Sequence, residues 1–116
     1  MGEQVRLNKN DSFYDNRLTV AVKTLPIQSK MVLWSIIDTT QSGEVTPRTV
    51  FEKYSSLCGA MDVKPLEQFK VISLIDELEM LGIVDTKRNK TIKKIKPVIY
   101  SNNLKELLIE ALSSYE

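Results

Sequence analysis

The chain has 116 residues, of which 42% are hydrophobic and 27% charged, a composition typical of one small globular domain. No apolar run approaches the roughly 20 residues that a membrane span requires. The single cysteine, Cys58, excludes an internal disulfide, and the absence of histidine excludes an ordinary zinc site and histidine-based acid–base catalysis. Four scattered glycines cannot form a phosphate-cradling loop. The composition therefore favours a binding protein over an enzyme.

The net charge of +1 hides an uneven distribution of charge along the chain. Six of the 16 basic residues and none of the 15 acidic residues lie in one short segment, at Lys87, Arg88, Lys90, Lys93, Lys94 and Lys96. The rest of the chain is net acidic. A concentrated basic segment on an acidic body is typical of a protein that contacts a polyanion at one place.

The first half of the chain predicts three helices. Residues 1–10 show no periodicity and are expected to be a disordered lead-in or residues left from cloning. An apolar stripe from residue 11 onward predicts a first helix that ends at Pro26, and the segment 27–40, apolar on nearly every side, predicts the most buried helix. A turn at 41–43 and a very short strand at Glu44 and Val45 should follow. Thr46 and Pro47 then predict the start of a helix that ends at Gly59 as a left-handed cap.

The second half predicts a helix, a hairpin and a last helix. After a loop at 60–64, Pro65 predicts a helix over about 66–81, with a buried stripe at Val71, Leu74, Ile75, Leu78 and Leu81. The β-branched pattern from Ile83 to Tyr100 predicts two strands around a turn at Lys87–Lys90. Pro97 should end the pairing. Asn102 or Asn103 should cap a final helix over about 103–115.

This order of elements predicts a mostly α protein with a small β-hairpin, an α+β winged helix-turn-helix. In that fold the helix at 66–81 is the recognition helix that enters the major groove of DNA, and the hairpin at about 83–97 is the wing. The basic segment falls on the wing. Charge and element order, which are independent observations, therefore both favour double-stranded DNA as the partner, with no catalytic or metal site.

The candidate DNA-binding residues lie in three places. Backbone phosphates should be contacted by the wing and by the start of the helix after residue 45, and bases by the first two turns of the recognition helix. The carboxylates of Asp76, Glu77 and Glu79 would keep phosphate away from the rest of that helix. The candidates are Lys87, Arg88, Asn89, Lys90, Thr91, Lys93 and Lys94 on the wing, Thr46 and Arg48 on the earlier helix, and Gln68, Lys70 and Ser73 on the recognition helix.

Five blocks of the sequence resemble a known family. They are Leu25–Leu33, Gly43–Thr46, Val50–Tyr54, Pro65–Leu66 and above all Ser73–Ile83, which reads SLIDELEMLGI. In this order they resemble the C-terminal winged-helix domain of archaeal replication initiators. These proteins are related both to the largest subunit of the origin recognition complex and to the cell-division-control helicase loader. The resemblance covers roughly residues 12–84.

The resemblance implies DNA replication, with origin recognition and helicase loading, as the function. A AAA+ ATPase module would precede this domain in a full protein and would bind ATP and magnesium, whereas this domain itself should need no cofactor. The family usually carries two arginines early in the recognition helix, where this chain has Phe69 and Lys70. Its wing is often rich in glycine and arginine, whereas this wing reads KRNKT at 87–91.

Two other functions remain open from the sequence. One is a dimeric winged-helix transcription regulator, in which the first and last helices form the dimer interface. The other is a winged helix that binds protein, in which Phe69, Ile72 and the acidic end of the recognition helix contact another initiator subunit or the replicative helicase. No membrane and no small-molecule substrate is expected. Because no leader precedes the domain, we expect a cytoplasmic location at the nucleoid.

Overall fold

The structure, a computed structural model, describes residues 20–89, 92–97 and 102–113. Residues 20–23 are helical and precede four helices and one hairpin: α1 (Ile27–Ser42), α2 (Pro47–Met61), α3 (Gln68–Met80), β1 (Val84–Asn89), β2 (Ile92–Pro97) and α4 (Asn102–Ser113). The predicted α+β winged helix is confirmed. The predicted lead-in and the beginning of the first predicted helix lie outside the described residues.

The helix α1 is the centre of the protein, as its sequence predicts. Pro26 stands immediately before it, and α2, α3, α4 and β2 all pack against it. The hydroxyls of Ser35 and Thr39 are buried with the apolar side chains and donate hydrogen bonds to carbonyls one turn earlier, at 2.8 and 2.6 Å. Although α1 is this apolar, no helix in the described segments is long and apolar enough to cross a membrane.

The helix α2 begins as predicted but ends later. The Thr49 N–H donates to the Thr46 side chain at 3.3 Å, and the Thr46 N–H donates to the Thr49 side chain at 2.9 Å, so two of the free donors of the first turn are satisfied. The prediction that Gly59 ends this helix is wrong. The helix continues to Met61, and Asp62 takes the left-handed conformation with φ 57°. Aspartate tolerates this conformation better than most residues, so a glycine is not required there.

The loop between α2 and α3 is fixed by the hydroxyl of Tyr54. It accepts a hydrogen bond from the Leu66 N–H at 2.8 Å and donates one to Gln28 Oε1 at 2.5 Å. Burial raises the pKa of Tyr54 to about 12, so the hydroxyl keeps its proton. The predicted helix start at Pro65 or Leu66 is therefore too early, because the backbone there is held as a loop and α3 begins at Gln68.

The prediction that Leu81 belongs to the buried stripe of α3 is wrong. Val71, Ile75 and Leu78 are buried as predicted, but Leu81 is 62% exposed because the helix ends at Met80. The turn into β1 follows at Gly82, whose φ of 78° favours glycine.

The first strand of the hairpin extends further than predicted, and the strand expected at Glu44 and Val45 is not formed. The residues Lys87–Asn89, assigned to a turn from sequence, belong to β1, where Lys87 is paired with Lys94 of β2. Only one hydrogen bond of the expected third strand is present in the described part of the chain, from the Ile95 N–H to the Val45 carbonyl at 2.9 Å. Pro97 lies on the same edge two residues later and has no N–H, so the ladder cannot continue in that direction.

The helix α4, predicted at about 103–115, is described from Asn102 to Ser113 and is held on α1 by an ionic contact. The Lys105 ammonium lies 2.8 Å from Asp38 Oδ1 and 5.9 Å from the centre of the Trp34 ring. Lys53 of α2 lies 2.9 Å from the other oxygen of Asp38. Burial alone would raise the pKa of Asp38, but the hydrogen bonds from Lys105 and Lys53 outweigh it and lower this pKa. One carboxylate thus joins three helices.

Replacing this carboxylate should expose its contribution to stability. We expect Asp38→Asn to lower the free energy of unfolding at pH 7 by about 1–2 kcal/mol, between the values for exposed and buried pairs. Because the folded-state pKa lies below the ordinary 3.8, the stabilisation is complete above pH 3.8 and is lost as the pH falls through the folded-state pKa. Urea unfolding between pH 2 and 7 measures it.

Glu52→Gln is the control for this measurement, because it removes a carboxylate from an exposed pair with Arg48 on α2. It should change stability by less than about 0.5 kcal/mol at every pH. Equal effects of the two substitutions at pH 7 would show that the Asp38 contact does not hold the helices together.

Candidate nucleic-acid interface

The wing presents its described lysines on one face. Successive strand residues point to opposite sides of a sheet. Ile95 and Pro97 are buried on one side, whereas Lys94 and Lys96 are exposed on the other, together with Lys87 from β1. The hairpin therefore directs three ammonium groups outward.

Several predicted wing residues cannot be placed on this face. Lys90 and Thr91 lie outside the described residues. The backbones of Arg88, Asn89 and Lys93 are in the strands, with position 88 opposite position 93, but their side chains are outside the described part of the structure.

The residues Lys87 and Lys94 stand directly opposite each other, so their like charges repel. A carboxylate reduces this repulsion. Glu44, in the turn after α1, lies 2.9 Å from the Lys94 ammonium, and both side chains are well exposed, at 66% and 48%. An ion pair this exposed is weak and is screened by salt.

A cleft of about 290 Å³ lies between the turn after α1 and the outward face of the hairpin. All three outward lysines line it, together with the carboxylates of Glu44 and Asp85. Buried Val45 and Ile95 contribute to its wall, where the single hydrogen bond joins the turn to β2. The cleft thus combines a fixed wall with a net positive rim of side chains.

The exposed face of α3 differs from the sequence prediction. At about 100° per residue, Gln68 and Lys70 lie on opposite flanks of the helix, roughly 200° apart. Phe69 lies between them at the centre of the exposed face and is 61% exposed. Ser73, one turn later, donates its hydroxyl to the Phe69 carbonyl at 3.2 Å. The centre of the exposed face of α3 is therefore occupied by an aromatic side chain.

The other end of α3 is acidic and apolar. Glu77 and Glu79 are exposed there beside Met80 and Leu81, which are 85% and 62% exposed. The Thr86 hydroxyl at the base of the wing donates to Glu79 at 2.7 Å. The partial negative charge of a helix C-terminus adds to these carboxylates. This end of the helix is attached to the wing but is unsuited to phosphate.

The start of α2 offers a weaker anion site. The side chain of Thr46 is used in the cap, while Arg48 is 85% exposed and lies 3.5 Å from Glu52. Residues 43–46 bring this first turn close to the hairpin.

Two members of the site, Lys96 and Glu44, were not among the DNA-binding residues predicted from sequence. The period of two along β2 could have identified Lys96, because it places positions 94 and 96 on the same face. Nothing local in the sequence indicates the contact of Glu44 with Lys94, because the two residues are 50 positions apart in the chain.

Comparison with known proteins gives both family and fold. The family described as "CDC6, C terminal winged helix domain" matches residues 20–110. An "ORC1-type DNA replication protein" of Thermococcus kodakarensis is 44% identical over 68 residues, which are 57% of this chain and 16% of that protein. "ORC1-type DNA replication protein 7" of Halobacterium salinarum is 42% identical over 72 residues, 60% of this chain and 14% of that protein. The chain thus matches a small part of each relative's length.

Solved structures show the same fold. The Aeropyrum pernix ORC1 protein, solved in complex with DNA, superposes with a TM-score of 0.78 at 24% identity over 92% of this chain and 28% of that one. The Drosophila ORC bound to DNA superposes with a TM-score of 0.66 at 18% identity over 81% of this chain and 24% of that one.

Proposed function

This chain belongs to the family of CDC6 C-terminal winged-helix domains, and we propose that it binds duplex DNA as part of an archaeal replication initiator. The observation that carries the proposal is the outward face of the wing, where Lys87, Lys94 and Lys96 share one cleft. Ammonium groups on a rigid hairpin can replace the counterions of the DNA backbone, which gives affinity without dependence on base sequence.

In a longer protein the domain would act beside a AAA+ module that binds ATP and magnesium. The small share of the ORC1-type relatives that this chain matches supports this arrangement. The domain would then attach the initiator to origin DNA during helicase loading, at the nucleoid, and would need no cofactor itself. Two of the structures of this fold are complexes with DNA, which is consistent with such a role.

Base recognition would centre on Phe69. An aromatic side chain at the middle of the exposed face of α3 can pack against the methyl group of thymine in the major groove. Gln68 and Lys70, on the flanks, would then reach sugar and phosphate at the groove walls, with Thr46 and Arg48 contacting a further phosphate from the start of α2. Sequence preference would therefore arise from an apolar contact supported by polar ones.

The contribution of the wing can be measured through salt. If about four to six phosphates are neutralised, the logarithm of the affinity should fall with the logarithm of salt concentration at a slope of roughly −4 to −5. Replacing Lys87 and Lys96 with glutamine should weaken binding to every duplex and reduce the slope by about 0.9 for each lost contact. Fluorescence anisotropy with labelled duplexes at several salt concentrations gives both quantities.

The matched control replaces Lys23, just before α1, and Lys30, in its first turn, with glutamine, which removes the same charge far from the wing. The 16 residues of α1 separate the beginning of this helix from the turn beside the wing by about 24 Å. The control should leave the slope unchanged. If the two double variants behave alike, the wing is not the contact.

Deoxyuridine separates an apolar contact at Phe69 from phosphate binding, because it removes only the methyl group of thymine. For an origin-like duplex bound by the wild type, replacing thymine should weaken binding about fourfold, as expected from about 0.8 kcal/mol for one buried carbon. Phe69→Ala should bind the thymine and deoxyuridine duplexes equally, whereas Gln68→Ala should keep the difference. A full thymine preference in Phe69→Ala would contradict the assignment.

The exposed pair Met80 and Leu81 favours a second candidate function, contact with a protein such as another initiator subunit or the replicative helicase. Large apolar side chains surrounded by carboxylates are typical of a protein-binding patch. Serine at both positions should abolish co-purification with the helicase of the same organism and leave DNA affinity unchanged. The Lys87 and Lys96 variant should show the reverse pattern. Retention of helicase by the serine variant would eliminate this surface.

A further inference from the structure

We propose that Glu44 is an internal competitor of DNA phosphate, holding Lys94 in the free protein and releasing it when a backbone phosphate enters the wing cleft. The inference rests on the proposed DNA binding and identifies a contact that lowers the affinity for DNA. Lys96, outside the residues expected from sequence, completes the phosphate site with Lys87 and Lys94.

The backbone on both sides of Glu44 fixes its position. The preceding Gly43 has φ 147°, a conformation that favours glycine, and its N–H donates to the Thr39 carbonyl at 3.2 Å. The following Val45 accepts the hydrogen bond from Ile95 at 2.9 Å. Glu44 is therefore held between the end of α1 and β2, facing the cleft, and does not reach Lys94 from a freely moving loop.

The chemistry of the cleft favours exchange of one anion for another. Lys87 and Lys94 repel each other across the hairpin, so an anion beside either of them lowers the energy of the free protein. The Glu44 carboxylate is such an anion at Lys94 without DNA, and a phosphate oxygen can take its place with DNA. Because the pair is exposed, breaking it costs little. In contrast, the Asp38 carboxylate and Lys105 are only 21% and 20% exposed and belong to the fixed core.

The substitution Glu44→Gln tests this competition. It should raise the affinity for duplex DNA about two- to fivefold at low salt, the equivalent of one exposed ion pair. The gain should shrink as salt rises, because salt screens the pair that the substitution removes. Anisotropy titrations measure the gain, and a thermal melt checks that the variant is folded, as expected for an exposed side chain.

The control Glu106→Gln removes one exposed negative charge from α4 and reports the general effect of net charge. It should give a smaller gain than Glu44→Gln. Equal gains in the two variants would overturn the proposal, as would a wild-type affinity in Glu44→Gln.

A double-mutant cycle with Lys94→Gln tests whether Glu44 acts through its partner. In the Lys94→Gln background, Glu44→Gln should lose most of its gain. An undiminished gain would mean that Glu44 merely repels DNA, and the proposal would be wrong. Failure of the wild type to bind any duplex at low salt would overturn the proposed function as well, whereas wild-type binding without the Glu44 effects would overturn only this inference.

Discussion

The rest of the structure depends on the burial of α1. Met31, Val32, Leu33, Ile36 and Ile37 are fully buried and face different directions around one helix, so other elements must cover it on every side. The helices α2, α3 and α4 and the strand β2 provide that cover. This requirement places the wing beside the end of α1, because β2 uses Ile95 for the core and thereby turns Lys94 and Lys96 outward. The basic face is thus a consequence of core packing.

Helices were predictable from this sequence because their signals are local. The cap at Thr46, the stripe of Val71, Ile75 and Leu78, and the end of pairing at Pro97 each depend on residues within a few positions. The errors arose where a distant contact decides the local structure. Tyr54 delays the start of α3 from 12 residues away, and the third strand fails because the opposing edge of β2 has a proline where a donor is needed.

The candidate site could be predicted only as a location. The cluster of basic residues identified the wing, and Phe69 stood out only as a residue at a position where the family usually carries an arginine. The arrangement within the site requires the pairing of β1 with β2, which decides that Lys87 faces Lys94, and the turn after α1, which brings Glu44 to them. Likewise, Gln68 and Lys70 look adjacent in sequence but are directed apart by the helix. Spacing in the chain is a poor guide to a surface built from three elements.

The proline at the end of β2 has a consequence for the behaviour of the protein in a crowded cell. A two-stranded hairpin has open edges, and an open edge can recruit a strand from another molecule and begin aggregation. Here the outer edge of β2 has its Ile95 donor occupied by Val45 and no donor at Pro97. A foreign strand would find too few partners to extend a ladder. The same proline that limits the sheet on this side therefore makes the outer edge of β2 a poor template for a strand from another molecule.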